Sequence, residues 1–157
     1  MAKRRSAIQS SIYRKLELLL CDLMAICERI PKHSLGLQVV GSRMVNETME
    51  AMSATEFALN SPGLDQRIAY ISALIHSMTI VKSACRELYW YSRKEKSELV
   101  AQAGGELVVS KKPDHGRVIS NVQYTHLLTV FGKLGREIGA WQRAAMTRRM
   151  GQTARVQ

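Results

Sequence analysis

Ile12-Tyr13-Arg14-Lys15-Leu16-Glu17-Leu18-Leu19-Leu20-Cys21-Asp22-Leu23-Met24-Ala25-Ile26-Cys27-Glu28-Arg29-Ile30 places apolar residues at 12, 16, 19, 23, 26 and 30, in alternating steps of four and three. On an α-helix those steps keep the apolar groups in one narrow stripe, which is the seam of a helix bundle. Pro31 has no N–H to continue the ladder, so the helix stops there and Pro31-Lys32-His33-Ser34 becomes a short connection.

Three further helices follow from the same logic. A second runs from about Leu35 to Asn60 with a looser apolar face of Leu37, Val40, Met44, Val45, Met49, Met52 and Leu59, and Asn60-Ser61-Pro62-Gly63 ends it. A third begins near Leu64, carries Ile68, Ile71, Ile75, Met78, Val81, Cys85 and Leu88 inward, and reaches at least Arg93. The fourth opens on Ser120-Asn121-Val122-Gln123, a capping-box pattern, and continues through Tyr124, Leu127, Phe131, Leu134, Ile138, Trp141 and Ala145. Between the third and fourth, residues 97–119 hold Gly104-Gly105, the β-favouring Leu107-Val108-Val109 and the turn signal Lys112-Pro113-Asp114-His115-Gly116. A short β-hairpin and an irregular loop fit that segment about equally.

The fold class that follows is all-α, an antiparallel up-down-up-down four-helix bundle with an inserted loop or short β-hairpin between helices 3 and 4, because short links force neighbouring helices to run antiparallel. The chain divides into a basic N-terminal tail at 1–10, the bundle at 11–147 with its insertion at about 97–119, and a basic C-terminal tail at 148–157.

The net charge is +10 across 157 residues, and its location matters more than its size. Residues 1–15 hold Lys3, Arg4, Arg5, Arg14 and Lys15 with no acid. Residues 133–157 hold Lys133, Arg136, Arg143, Arg148, Arg149 and Arg155 against Glu137 alone. In an antiparallel bundle the start of helix one and the end of helix four share an end, so these groups converge into a cationic surface of the kind that displaces counterions from phosphates. The nucleic-acid-binding candidates are Lys3, Arg4, Arg5, Arg14, Lys15, Lys133, Arg136, Arg143, Arg148 and Arg149. Tyr89-Trp90-Tyr91, beside Arg93, Lys94 and Lys96, is a weaker candidate for stacking on bases, since helical spacing turns one or two of those rings toward the core.

Gly132, Gly135 and Gly139 interrupt helix four at a cost of about 1 kcal/mol each relative to alanine. Their spacing makes one stripe where another backbone, of the same bundle or of another subunit, can approach closely. With Trp141 they are the candidates for close helix or oligomer packing.

Enzyme chemistry is not expected. Glu47, Glu50 and Glu56 have no Glu-x-x-His partner pattern, and His33, His76, His115 and His126 are scattered without metal-ligand spacing. No phosphate-cradling glycine loop or nucleophile motif is present, so neither cofactor nor metal is expected. Cys21, Cys27 and Cys85 lack CxxC spacing and fall within apolar-periodic segments, where they read as small core residues. No secretory signal pattern and no apolar run of membrane-spanning length is read, so a cytoplasmic protein without membrane contact is expected.

Several of these residues also carry a family resemblance. Tyr13-Arg14 opens helix one, Ile30-Pro31-Lys32 closes it, and helix four contains Gly135-Arg136-Glu137-Ile138-Gly139-Ala140-Trp141. The last resembles the Gly-Arg-x-Leu-Gly-x-Trp segment of the accessory variability determinants of diversity-generating retroelements, and the likeness spans most of residues 12–146. The resemblance implies a non-catalytic four-helix protomer that assembles as a homopentamer, binds the element's reverse transcriptase and contacts template RNA and cDNA during mutagenic reverse transcription. Arg136 comes with the motif, whereas the basic termini are read from charge. The segment between helices three and four is longer than the resemblance implies. Four-helix relatives such as ribosomal-RNA intervening-sequence proteins share the architecture, so the alternative is a structural protein-interaction scaffold with only nonspecific nucleic-acid binding.

Overall fold

The computed structural model describes residues 2–102 and 118–156, with side chains over 11–90 and 118–156. Four helices account for it: α1 (Ala2–Glu28), α2 (Leu35–Asn60), α3 (Leu64–Gln102) and α4 (Asn121–Val156). Successive helices pack side by side, α2 against α3 most extensively, and α4 closes back on α1. Residue pairs fix how the helices run past one another. Lys15 and Asp22 of α1 meet Glu137 and His126 of α4, Cys85 of α3 meets Met44 of α2, and Tyr89 meets Tyr124 while Asp65 meets Arg149.

The α1 stripe behaves as its spacing predicts: Ile12, Leu16, Leu19, Leu23 and Ile26 are all buried. The helix ends at Glu28 in two tight turns, with Arg29 N donating to Ile26 O (3.0 Å) and Ile30 N to Cys27 O (3.1 Å) before Pro31 stops it. The Gln38 amide then reaches back to Lys32 O at 2.9 Å, tying the first turns of α2 to the connection.

The α2 core differs from the sequence reading. Of the expected face, Leu37 and Met44 are buried, Val40, Val45, Met52 and Leu59 are half-buried, and Met49 is exposed. The actual seam is Leu37, Gly41, Met44, Thr48, Ala51, Thr55 and Ala58, a regular four-three repeat built mostly from small residues. Small side chains let the two backbones approach, which accounts for the extensive α2–α3 contact. The buried hydroxyls cost little because each bonds locally: Thr48 Oγ1 donates to Met44 O and Thr55 Oγ1 to Ala51 O, both at 2.8 Å. Gly41 marks a close approach to the end of α1 and the turn after it, since a methyl group there would lie 2.6 Å from Ile30 Cδ1 and 3.1 Å from Cys27 Sγ.

At the α2–α3 turn, Arg67 caps the open carbonyls of α2 by donating to Ala58 O (3.2 Å) and Ser61 O (3.1 Å). The segment Leu64–Trp90 is long and apolar enough to cross a membrane, with mean hydropathy 1.4 in its best 18-residue window, which departs from the sequence expectation. Here α3 lies between α2 and α4, and 44% of that window is buried inside the bundle.

The element boundaries also differ. Residues 97–102, assigned to the insertion, continue α3, and the segments read as tails are continuous with α1 and α4. No strand occurs among the described residues, and the rest of the expected hairpin, 103–117, lies outside them. Val118 and Ile119 are buried, and α4 begins with the capping box its sequence encodes: Gln123 N donates to Ser120 Oγ (3.1 Å) and Ser120 N to Gln123 Oε1 (3.2 Å).

The cysteines need a correction. Cys85 is buried and Cys27 half-buried, but Cys21 is exposed because it falls on the side of α1 opposite the seam. Burial pushes the Cys85 thiol up to about 12 and raises Cys27, so neither yields much thiolate near neutral pH. Native protein treated with a maleimide at pH 7.5 should therefore be modified first at Cys21, slowly at Cys27, and at Cys85 only on unfolding. Peptide mass mapping over time checks this order, and early labelling of Cys85 would contradict the packing described.

Candidate nucleic-acid interface

Helix α4 carries most of the candidate surface. Its inner stripe, Leu127, Phe131, Leu134, Ile138 and Ala145, is buried, and this fixes which residues face outward. Lys133, Arg136, Arg143, Arg148, Arg149 and Arg155 are all exposed. Trp141 is half-buried against the core, so it anchors the helix within the protomer.

The glycines and arginines of α4 are arranged together. Helical side chains lean toward the N-terminus, so a residue covers the turn before it. A methyl group at Gly132 would lie 3.7 Å from Arg136 Nη1, and one at Gly139 would lie 3.4 Å from Arg143 Nη1. At Gly135 it would meet nothing within 4 Å. The stripe therefore does not bring another backbone of the same chain into contact. Gly135 and Gly139 instead line a shallow groove between α3 and α4, beside Ile75, Met78, Thr79 and Lys82.

Not all of the ten cationic candidates are equally available. Lys15 is half-buried and paired with Glu137, whose second carboxylate oxygen Oε2 is buried with no hydrogen-bond partner among the described residues. The ammonium therefore balances a carboxylate held in the α1–α4 seam, and its charge is partly neutralised there. Arg149 Nε lies 3.2 Å from Asp65 Oδ1, an exposed pair that water screens and that holds little energy. Among the described residues no acid pairs with Arg14, Lys133, Arg136, Arg143, Arg148 or Arg155. The side chains of Lys3, Arg4 and Arg5 lie outside those described, on the helical backbone of α1.

No protein-family profile, curated protein or solved structure matches this chain. The site is therefore read from its own geometry.

The aromatic candidates divide. Tyr89 is buried, stacks on Tyr124 with centroids 4.1 Å apart, and donates its hydroxyl to Asn121 Oδ1 at 2.6 Å, while Trp90 is exposed. Tyr89 is thus part of the α3–α4 joint. His33, His76 and His126 are exposed, and among the described residues no three His, Cys, Asp or Glu side chains group as metal ligands. Sequence reasoning missed a second exposed row, Leu35, Val39, Met49 and Phe57 on the outer side of α2. Its signal was present in the spacing but lay hidden inside a helix whose core positions are small.

Proposed function

We propose that this chain is a non-catalytic, cytoplasmic accessory subunit of a diversity-generating retroelement, binding the reverse transcriptase and template RNA or cDNA through a basic oligomeric surface. The proposed protomer is an antiparallel up-down-up-down bundle and the proposed assembly a homopentamer. The observation that carries the reading is the outer surface of α4, where Arg143, Arg148 and Arg155, exposed and paired with no acid among the described residues, follow the Gly135–Trp141 segment that resembles the accessory variability determinants. Continuing the Lys15–Glu137 register along both helices brings the backbone of residues 3–5 level with Arg148 and Arg149, so the two basic ends reinforce one another.

The test is RNA affinity as a function of salt. With Arg148, Arg149 and Arg155 replaced by alanine, affinity for single-stranded template RNA should fall by ~10-fold or more, and the log–log salt slope should shrink by about 2. An unchanged affinity and slope would remove the C-terminal part of α4 from the site. Co-purification of the reverse transcriptase, and tighter template binding by the complex than by the enzyme alone, are the corresponding expectations for the partner. The second reading, a protein-interaction scaffold with nonspecific nucleic-acid contact, is favoured by the exposed apolar row of α2, and equal template binding with and without this chain would select it.

A further inference from the structure

Two helices of the bundle carry a second periodic row outside the buried seam: on α2 it is turned away from the core, and on α4 it runs along the groove beside α3. On α4 it runs Leu128, Gly132, Gly135, Gly139, Gln142 and Met146, in steps of four and three. On α2 the same steps connect Leu35, Val39, Ser42, Asn46, Met49 and Ser53, ending at Phe57. Single exposed apolar residues are ordinary on a protein surface, but a four-three row is the geometry by which one helix receives another. Leu35 and Val39 of α2 are 74% and 67% exposed, and Leu128 and Met146 at the two ends of the α4 row are 51% and 44% exposed, with Gly139 and Gln142 between them half-buried.

Their charges are opposite. Helix α2 holds Glu47, Glu50 and Glu56 against Arg43 alone, whereas α4 holds six basic residues against Glu137. Helices α2 and α4 do not pack on each other, since each has α1 and α3 as its neighbours. The attraction between them is therefore unused within one chain. Pairing like with like is disfavoured, because α4 on α4 would set Arg136 and Arg143 against a second copy of themselves. Unlike faces on opposite sides of one protomer suit a head-to-tail contact, which repeats from copy to copy and closes a ring if the rotation allows.

We infer that α4 of one copy docks on the outer face of α2 of the next, with Arg136 and Arg143 facing Glu50 and Glu56 and the α4 glycines admitting the α2 backbone. This rests on the reading above that the chain self-associates, and it adds which faces meet. It also divides the basic residues by role. Arg136 and Arg143 serve assembly, leaving Arg148, Arg149 and Arg155 to nucleic acid.

Light-scattering mass with circular dichroism on the full chain tests this. The unaltered protein should be an oligomer, and Arg136→Glu with Arg143→Glu should reduce it to the 17.6 kDa monomer with helical signal unchanged. Adding Glu50→Arg and Glu56→Arg to that variant should restore the oligomer. Gly135→Leu, which fills the contact without altering charge, should also give folded monomer. A monomeric unaltered protein would overturn self-association itself. An oligomer that survives the charge reversal, or a reversal that abolishes RNA binding at unchanged mass, would overturn the α2–α4 contact alone and assign the α4 face elsewhere or to nucleic acid.

Discussion

Gly41→Leu is expected to destabilise the protein by about 3 kcal/mol or more, lowering its melting temperature by roughly 6–12 °C. The first added carbon already lies 2.6 Å from Ile30 Cδ1 and 3.1 Å from Cys27 Sγ, both on the α1 side of a buried contact. Alanine could be accommodated if the Ile30 tip rotates, and its helix propensity offsets about 1 kcal/mol, so Gly41→Ala should have a much smaller effect. Leucine adds three more carbons with no path except to push α1 away from α2. Gly151→Leu is the control for stability, because the first added carbon there meets nothing within 4 Å and helix propensity is gained. Thermal melts of the protomer in which the two leucine variants behave alike would contradict the close approach at Gly41.

Leu74→Ala should cost about 2–5 kcal/mol, toward the upper end of that range. Leu74 is fully buried on α3, the helix that packs on both α2 and α4. A cavity relaxes when a long neighbour swings in or an element shifts. The second half of α2, the helix packed most extensively on α3, buries mainly Ala51, Ala54, Thr55 and Ala58, which have nothing long to swing. Urea denaturation should show the midpoint fall with its slope unchanged. Val39→Ala, on the outer face of α2, should stay within about 0.5 kcal/mol. A Leu74→Ala loss below 1 kcal/mol would mean the centre of the bundle is looser than described.

Much of this architecture is legible in the sequence, for reasons tied to residue size. Large aliphatic residues on a four-three spacing identify the seams of α1, α3 and α4, and Ser120 with Gln123 identifies where α4 starts. The α2 seam escapes because its inward positions are Gly41, Thr48, Ala51 and Thr55, which carry almost no hydropathy signal, while the exposed Met49 carries more. Helix ends were harder to place. Residues 97–102 contain no breaker to distinguish continued helix from the start of a loop.

The candidate site divides in the same way. That the charge concentrates on α4 follows from composition and order. Which cations are available does not, since Lys15 finds Glu137 across 122 positions of chain and Arg149 finds Asp65 across the bundle. The glycines of α4 signal a close approach, but the spacing cannot say that their own arginines lie over two of them. Packing supplies that distinction.

The capping box of α4 has a further consequence for how the basic surface is aimed. Ser120 and Gln123 close on each other, Arg29 Nη1 donates to the same Gln123 Oε1 at 2.9 Å, and Val118 and Ile119 are anchored in the core. The cap at the entrance of α4 thus agrees in phase with the buried stripe that follows it, and both lie downstream of residue 117. Lengthening the connection upstream of Val118 leaves every arginine pointing where it does. Removing a single residue just after Gln123 puts the cap and the buried stripe about 100° out of step, so the helix keeps its basic face only by giving up the cap.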